Sequence, residues 1–87
     1  MASSPEEGKL IGTVSHYFGN IGVAVIDLTD TLKVGDNIRI VGGKADFTQP
    51  VDSMEYEHEK VNEAKKGSSV GLKAIQKAHE GYKVFKV

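Results

Sequence analysis

An all-β fold, a small closed antiparallel barrel of six or seven strands with Greek-key connections, is predicted by three features of this 87-residue chain. Ten glycines and two prolines punctuate it at short intervals. Between these breaks apolar residues alternate with period 2, and helical 3.6-residue periodicity is scarce. Closure is favoured because a domain this small would otherwise expose long unpaired edges. The length makes one domain, residues 9–87, preceded by a loose solvated tail over residues 1–8.

The elements follow in order. Lys9 to Phe18 alternates and reads as a strand with bulky side chains on both faces. Gly19-Asn20-Ile21-Gly22 is a turn. Val23 to Leu28 is nearly continuously apolar and β-branched, as for a strand covered on both sides. Leu32 to Gly35 turns the chain, because Gly35 accepts left-handed angles and Asp36 can bond its own backbone. Asn37 to Val41 is the third strand, broken by Gly42-Gly43. Ala45 to Thr48 forms an edge piece before Pro50, which cannot sit in a central ladder. Val51 to Val61 is the longest strand, its apolar phase slipping near Asp52-Ser53 as at a bulge. Glu63 to Lys66 is one helical turn or an irregular loop ended by Gly67. Val70, Leu72 and Ala74 alternate around Gly71, and Gly81 turns the chain into a last strand, Tyr82 to Val87.

Composition excludes several classes. There is no cysteine, so neither a disulfide framework nor a thiolate zinc site is available. No apolar run approaches the ~20 residues of a membrane-spanning helix. The first eight residues are acidic where a secretory signal is basic. The expectation is a soluble cytoplasmic protein. The net charge of −1 conceals an asymmetry: ten carboxylates oppose four cations through Glu59, and seven lysines oppose Glu63 and Glu80 from Lys60 onward. The basic third is either a footprint for nucleic acid or an acidic partner, or lysines that keep strand edges apart.

Candidate chemistry is thin. His16, His58 and His79 are scattered. In Glu55-Tyr56-Glu57-His58-Glu59 a strand puts the three carboxylates on one face and the histidine on the other, so no metal is expected. Ser15 and His16 are adjacent, point apart on a strand, and cannot form a nucleophile–base pair, with or without Asp27. The glycines lack the order of a phosphate loop, so no nucleotide binding and no cofactor are expected. His16-Tyr17-Phe18-Gly19 sets an aromatic pair beside a turn, suited to stacking on a base or peptide if either ring is outside the core.

Read in order, Leu32–Gly42 (LKVGDNIRIVG), the stretch from Val51 to Ile75, and Gly81–Val87 resemble domain II of the translational GTPases, as in elongation factor Tu and initiation factor 2. The K-V-G-D turn-and-strand and the A-x-x-G-x-x-V-G-L stretch, here Ala64 to Leu72, carry the resemblance. It implies the translation-protein β-barrel and, with no GTPase domain, a stand-alone non-catalytic barrel that binds a translation-related partner, either transfer or ribosomal RNA or a protein. By the same resemblance Glu55 and His58 line the face that holds the tRNA end, His58 standing where an arginine is usual. Lys60, Lys65, Lys66, Lys73 and Lys77 become phosphate contacts, and Gly35, Asp36, Gly67, Gly71 and Gly81 structural turns. A similar barrel also serves as an accessory C-terminal domain in a peptidase family, so a protein-interaction module without a nucleic-acid role is the second expectation. An enzyme built on Glu55–Glu59 is the third.

Overall fold

The computed structural model describes residues 8–43 and 45–87. The expected tail, apart from Gly8, and Lys44 lie outside the described residues. These form ten strands and no helix: β1 Lys9–Phe18, β2 Val23–Leu28, β3 Leu32–Lys33, β4 Asn37–Gly42, β5 Ala45–Pro50, β6 Met54–Tyr56, β7 Glu59–Val61, β8 Glu63–Ala64, β9 Ser69–Lys73 and β10 Lys83–Lys86. No helix is long and apolar enough to cross a membrane, among the described residues. Every strand pair is antiparallel. Eight strands form one sheet in the order β5-β4-β10-β1-β2-β9-β6-β7, and β3 pairs with β8 separately.

Register explains which face is core. Residues directly opposite each other in an antiparallel pair point to the same side of the sheet. The row Tyr17, Ala24, Leu72, Met54, Val61 faces inward, as does Val14, Ile26, Val70. Of these only Tyr17 and Val61 retain appreciable exposure. Ile38, Ile40 and Phe47 close the core from β4 and β5, and Leu32 and Ala64 cap it from the β3–β8 pair. A bulge between Val14 and His16 lets β1 change phase, so Ser15 and His16 are both exposed.

The turns use the expected chemistry at three places. Asp36 N–H donates to the Lys33 carbonyl at 3.1 Å, and Lys33 N–H donates to Asp36 Oδ2 at 2.9 Å. Gly35, at φ +100°, takes the third position of this type II pattern. Gly67 and Gly81 likewise have positive φ.

Seven expectations are corrected. The predicted six- or seven-stranded closed barrel is ten short strands, and among the described residues the ladder ends at β5 and β7 without closing. Val51 to Val61 is not one bulged strand but a hairpin, β6 and β7 joined by Glu57 and His58, both with positive φ (53° and 69°). Glu55, Glu57 and Glu59 therefore do not share one strand face opposite His58. Glu63–Lys66 is neither helical turn nor irregular loop; β8 runs into a turn in which Ser68 N–H donates to the Lys65 carbonyl. β2 is buried on one side only, with Val23 and Val25 half-exposed. Gly71 lies inside β9, not in a turn. Gly42, expected to break β4, remains in it, paired with Ala45, and the Tyr82 ring packs where a Cβ would stand.

Gln49 crosses the gap between β5 and the end of β9. Its buried amide donates from Nε2 to the Lys73 carbonyl at 2.7 Å and accepts from Ile75 N–H at 2.8 Å.

Candidate functional site

The outer face of β2, β9 and β6 carries the site. One outward row runs His16, Val25, Gly71, Glu55, Lys60, and the next runs Phe18, Val23, Lys73. Gly71 contributes no side chain, so a trough lies between Val25 and Glu55. Phe18 and Ile21, 47% and 58% exposed, rise at one end of it from the β1–β2 turn. The β6–β7 turn overhangs the other side with Glu57 and His58. Together with Ser69 these residues line an open depression of about 420 Å³. Apolar side chains grouped at the surface and walled by a turn held in left-handed angles make this depression the candidate site.

Electrostatics of the rim are acidic. Among the described residues neither Glu55 nor Glu57 has a salt bridge or a side-chain hydrogen bond. Lys60 stands across the hairpin from Glu55, and Lys73 beside Val23. Ser69 Oγ donates to Asp27 Oδ1 at 2.6 Å, which holds that carboxylate at the floor's edge.

The residues singled out by sequence are partly gathered. Glu55 and His58 line the same depression. The lysines do not converge: Lys65 and Lys66 precede β9 while Lys73 ends it and Lys77 follows. At ~3.3 Å per residue this five-residue strand separates the two groups. Lys60 lies on the hairpin. Gly35 and Asp36 sit at the β3–β4 turn, and Gly67 and Gly81 in turns flanking β9 and β10.

Ser15 Oγ bonds the Val25 carbonyl at 3.3 Å, and His16 Nδ1 faces Glu80 Oε2 at 3.3 Å, so the two side chains are engaged elsewhere and form no catalytic pair. Of the aromatic pair, Tyr17 packs against the core and Phe18 faces out, meeting the His16 ring edge-on at 4.3 Å. No group of three or more acidic or imidazole side chains is placed to hold a metal among the described residues.

Sequence reading missed Ile21, Val23, Val25 and Gly71 as surface-forming residues. The signal was the unbroken V-A-V-I run, in which both parities are apolar. One parity fills the core and the other forms the groove.

A small all-β module with an apolar, acid-rimmed groove is what fold and site define. No family model matches the chain. It is similar to an uncharacterized protease of Methanocaldococcus jannaschii, 38% identical over 76 residues that make up 86% of this chain and 19% of that protein. The chain thus spans about a fifth of the relative's length. In fold it resembles the C-terminal domain of a Geobacillus thermoleovorans chain assigned to the U32 peptidases. One crystal structure of that domain superposes with a TM-score of 0.84 at 18% identity, covering 99% of both chains. Its selenomethionine variant gives 0.85 at 20% identity over 90% of this chain and 99% of the other.

These likenesses overturn the expected place among translation-factor domains and the translation role drawn from it. The protein related in sequence is a protease, and both matched folds are peptidase C-terminal domains. The motifs that suggested otherwise have structural roles in this chain: K-V-G-D builds the Gly35 turn, and the V-G-L stretch sets Val70 and Leu72 into the core on either side of Gly71.

Proposed function

We propose that this chain is a non-catalytic accessory module that seats on a peptidase body through the outer face of β2, β9 and β6. The observation that carries the reading is the apolar groove floored at Gly71, a surface with two unpartnered carboxylates on its rim. The likeness to peptidase C-terminal domains supplies the class of partner. The separate engagements of Ser15 and His16 support a binding role over a hydrolytic one. In this reading the sheet works as a barrel whose seam is shut by the Gln49 amide, giving the groove a stiff floor. The cysteine-free chain is suited to a reducing cytoplasm.

The test mixes the purified chain with the body of a U32-type peptidase from the same cell, cut before its C-terminal domain, and follows association by titration calorimetry. A one-to-one complex is expected, and labelled casein incubated with the chain alone should stay at buffer background. Failure to associate, or casein hydrolysis that co-purifies with the chain and disappears on Ser15→Ala or His16→Ala, overturns the proposal.

A further inference from the structure

We infer that the groove over Gly71 receives a segment of the partner in which an apolar side chain lies next to an arginine or lysine. This rests on the accessory-module reading and names the chemistry of what docks.

Gly71 is the starting point. Its φ lies outside the left-handed region, so the backbone does not demand glycine there. It sits in the interior of a paired strand, where glycine weakens the ladder and contributes nothing to packing. A Cβ at this position would meet Val23 Cγ1 at 3.3 Å, with no backbone atom among its nearest neighbours. What glycine supplies is room on the outer face, and glycine in a strand is a recurrent mark of close approach by another chain or ligand. Phe18, Ile21, Val23 and Val25 give that room apolar walls, and their exposure gives a partner's apolar side chain area to cover.

The rim decides the sign of the partner. Glu55 borders the trough in the same row as Gly71, and Glu57 overhangs it. The facing cations are Lys60, across the hairpin from Glu55, and Lys73, beyond Val23; both lie at the ends of their rows. His16, at the opposite end of the Gly71 row, faces Glu80. A phosphate in the trough would meet the two carboxylates first. An arginine or lysine would lay its methylenes along Val23 and Val25 and bring its charged head to Glu55 and Glu57. An arginine there can make paired bonds to a carboxylate, which fixes orientation as well as strength.

The experiment uses the 87-residue chain with two ligands: the peptidase body, and a fluorescent octapeptide carrying leucine and phenylalanine between two arginines. A copy of the peptide with glutamates for arginines is the control. Three variants are compared with wild type: Gly71→Val, which fills the trough; Glu55→Lys with Glu57→Lys, which reverses the rim; and Ile21→Asp. Ile21 is exposed in a turn, so its variant tests the groove even if Gly71→Val fails to fold. Wild type is expected to bind both the body and the arginine peptide, with affinity falling as salt rises. Each folded variant should lose tenfold or more, and the glutamate peptide should not bind.

If the body binds wild type and all folded variants equally, the groove assignment is wrong and the accessory reading stands. If the body does not bind but the arginine peptide does, with loss in the variants, the groove assignment stands and the accessory reading fails. If neither ligand binds, the groove assignment is overturned. So too if the wild-type chain sediments as a dimer that Ile21→Asp dissolves, because the occupant is then a second copy.

Discussion

Gln49 ties two stretches of backbone that no strand ladder joins. Its two bonds reach residues 24 and 26 positions away, and they satisfy one carbonyl and one N–H where β5 and β9 fail to pair. Gln49→Ala leaves both backbone groups without that partner in a part-buried gap, a loss of about 2–3 kcal/mol. For a domain of this size the melting temperature should fall by roughly 10–20 °C. Gln49→Glu keeps the acceptor for Ile75 but replaces the donor to Lys73 with a charged oxygen, so it should not rescue. Thermal unfolding followed by circular dichroism decides; a glutamate variant as stable as wild type would mean that the amide does not tie β5 to the end of β9. None of this was legible in the sequence, where Gln49 is one polar residue before a proline. Its partners are main-chain atoms, and main-chain atoms leave no pattern in composition. Gly35 was legible for the opposite reason, since its requirement for positive φ is local and written in the residue itself.

At the scale of elements, the β6–β7 hairpin shows how a correct observation led to the wrong element. The apolar phase does slip between Val51 and Met54, but because residues 51–53 lie between strands β5 and β6 and not in a bulge, and the chain then reverses at Glu57 and His58. Met54 and Val61 are cross-strand partners on the inward side. Nothing in M-E-Y-E-H-E-K-V announces a turn, because Glu57 and His58 occupy positions that asparagine and glycine normally fill. Each holds left-handed angles at a cost of order 1 kcal/mol. Glu57→Asn with His58→Gly should therefore stabilise the fold by about 1–2 kcal/mol and raise the melting temperature by roughly 5–10 °C. A melting temperature that stays level or falls would show that contacts of the native pair outweigh the strain. β2 was legible as an apolar strand, but a run apolar at both parities has two explanations. Burial on both faces and burial on one with a recognition surface on the other look alike until neighbouring strands are placed.

For the whole molecule, the charge pattern along the chain proved a poor guide to the charge pattern in space. Folding scatters the lysines of the last third over the β6–β7 hairpin, the two ends of β9 and strand β10, and leaves Glu55 and Glu57 over an apolar floor. Two cations of the first half are engaged by carboxylates instead. Arg39 holds Asp46 across β4 and β5 with two bonds of 2.7 and 2.6 Å, and Lys9 holds Asp30 between the start of β1 and the end of β2. The Arg39 guanidinium keeps the Asp46 carboxyl below its ordinary range, and the Lys9 hydrogen bond, followed by the Thr31 N–H, does the same for Asp30. The sign of the pH dependence follows from linkage: below the ordinary carboxylate range the unfolded chain binds protons that the folded chain still refuses. The contribution of both pairs is thus complete above about pH 5 and is lost as the pH falls through about 4 and below. Both pairs are solvent-exposed, so the loss should shrink in high salt. Melting temperatures measured from pH 6 to pH 2.5 should fall less steeply for Asp46→Asn than for wild type, with the difference confined to the acid limb and reduced at 1 M salt. Parallel curves would show that the Arg39–Asp46 pair leaves the acid stability of the sheet unchanged.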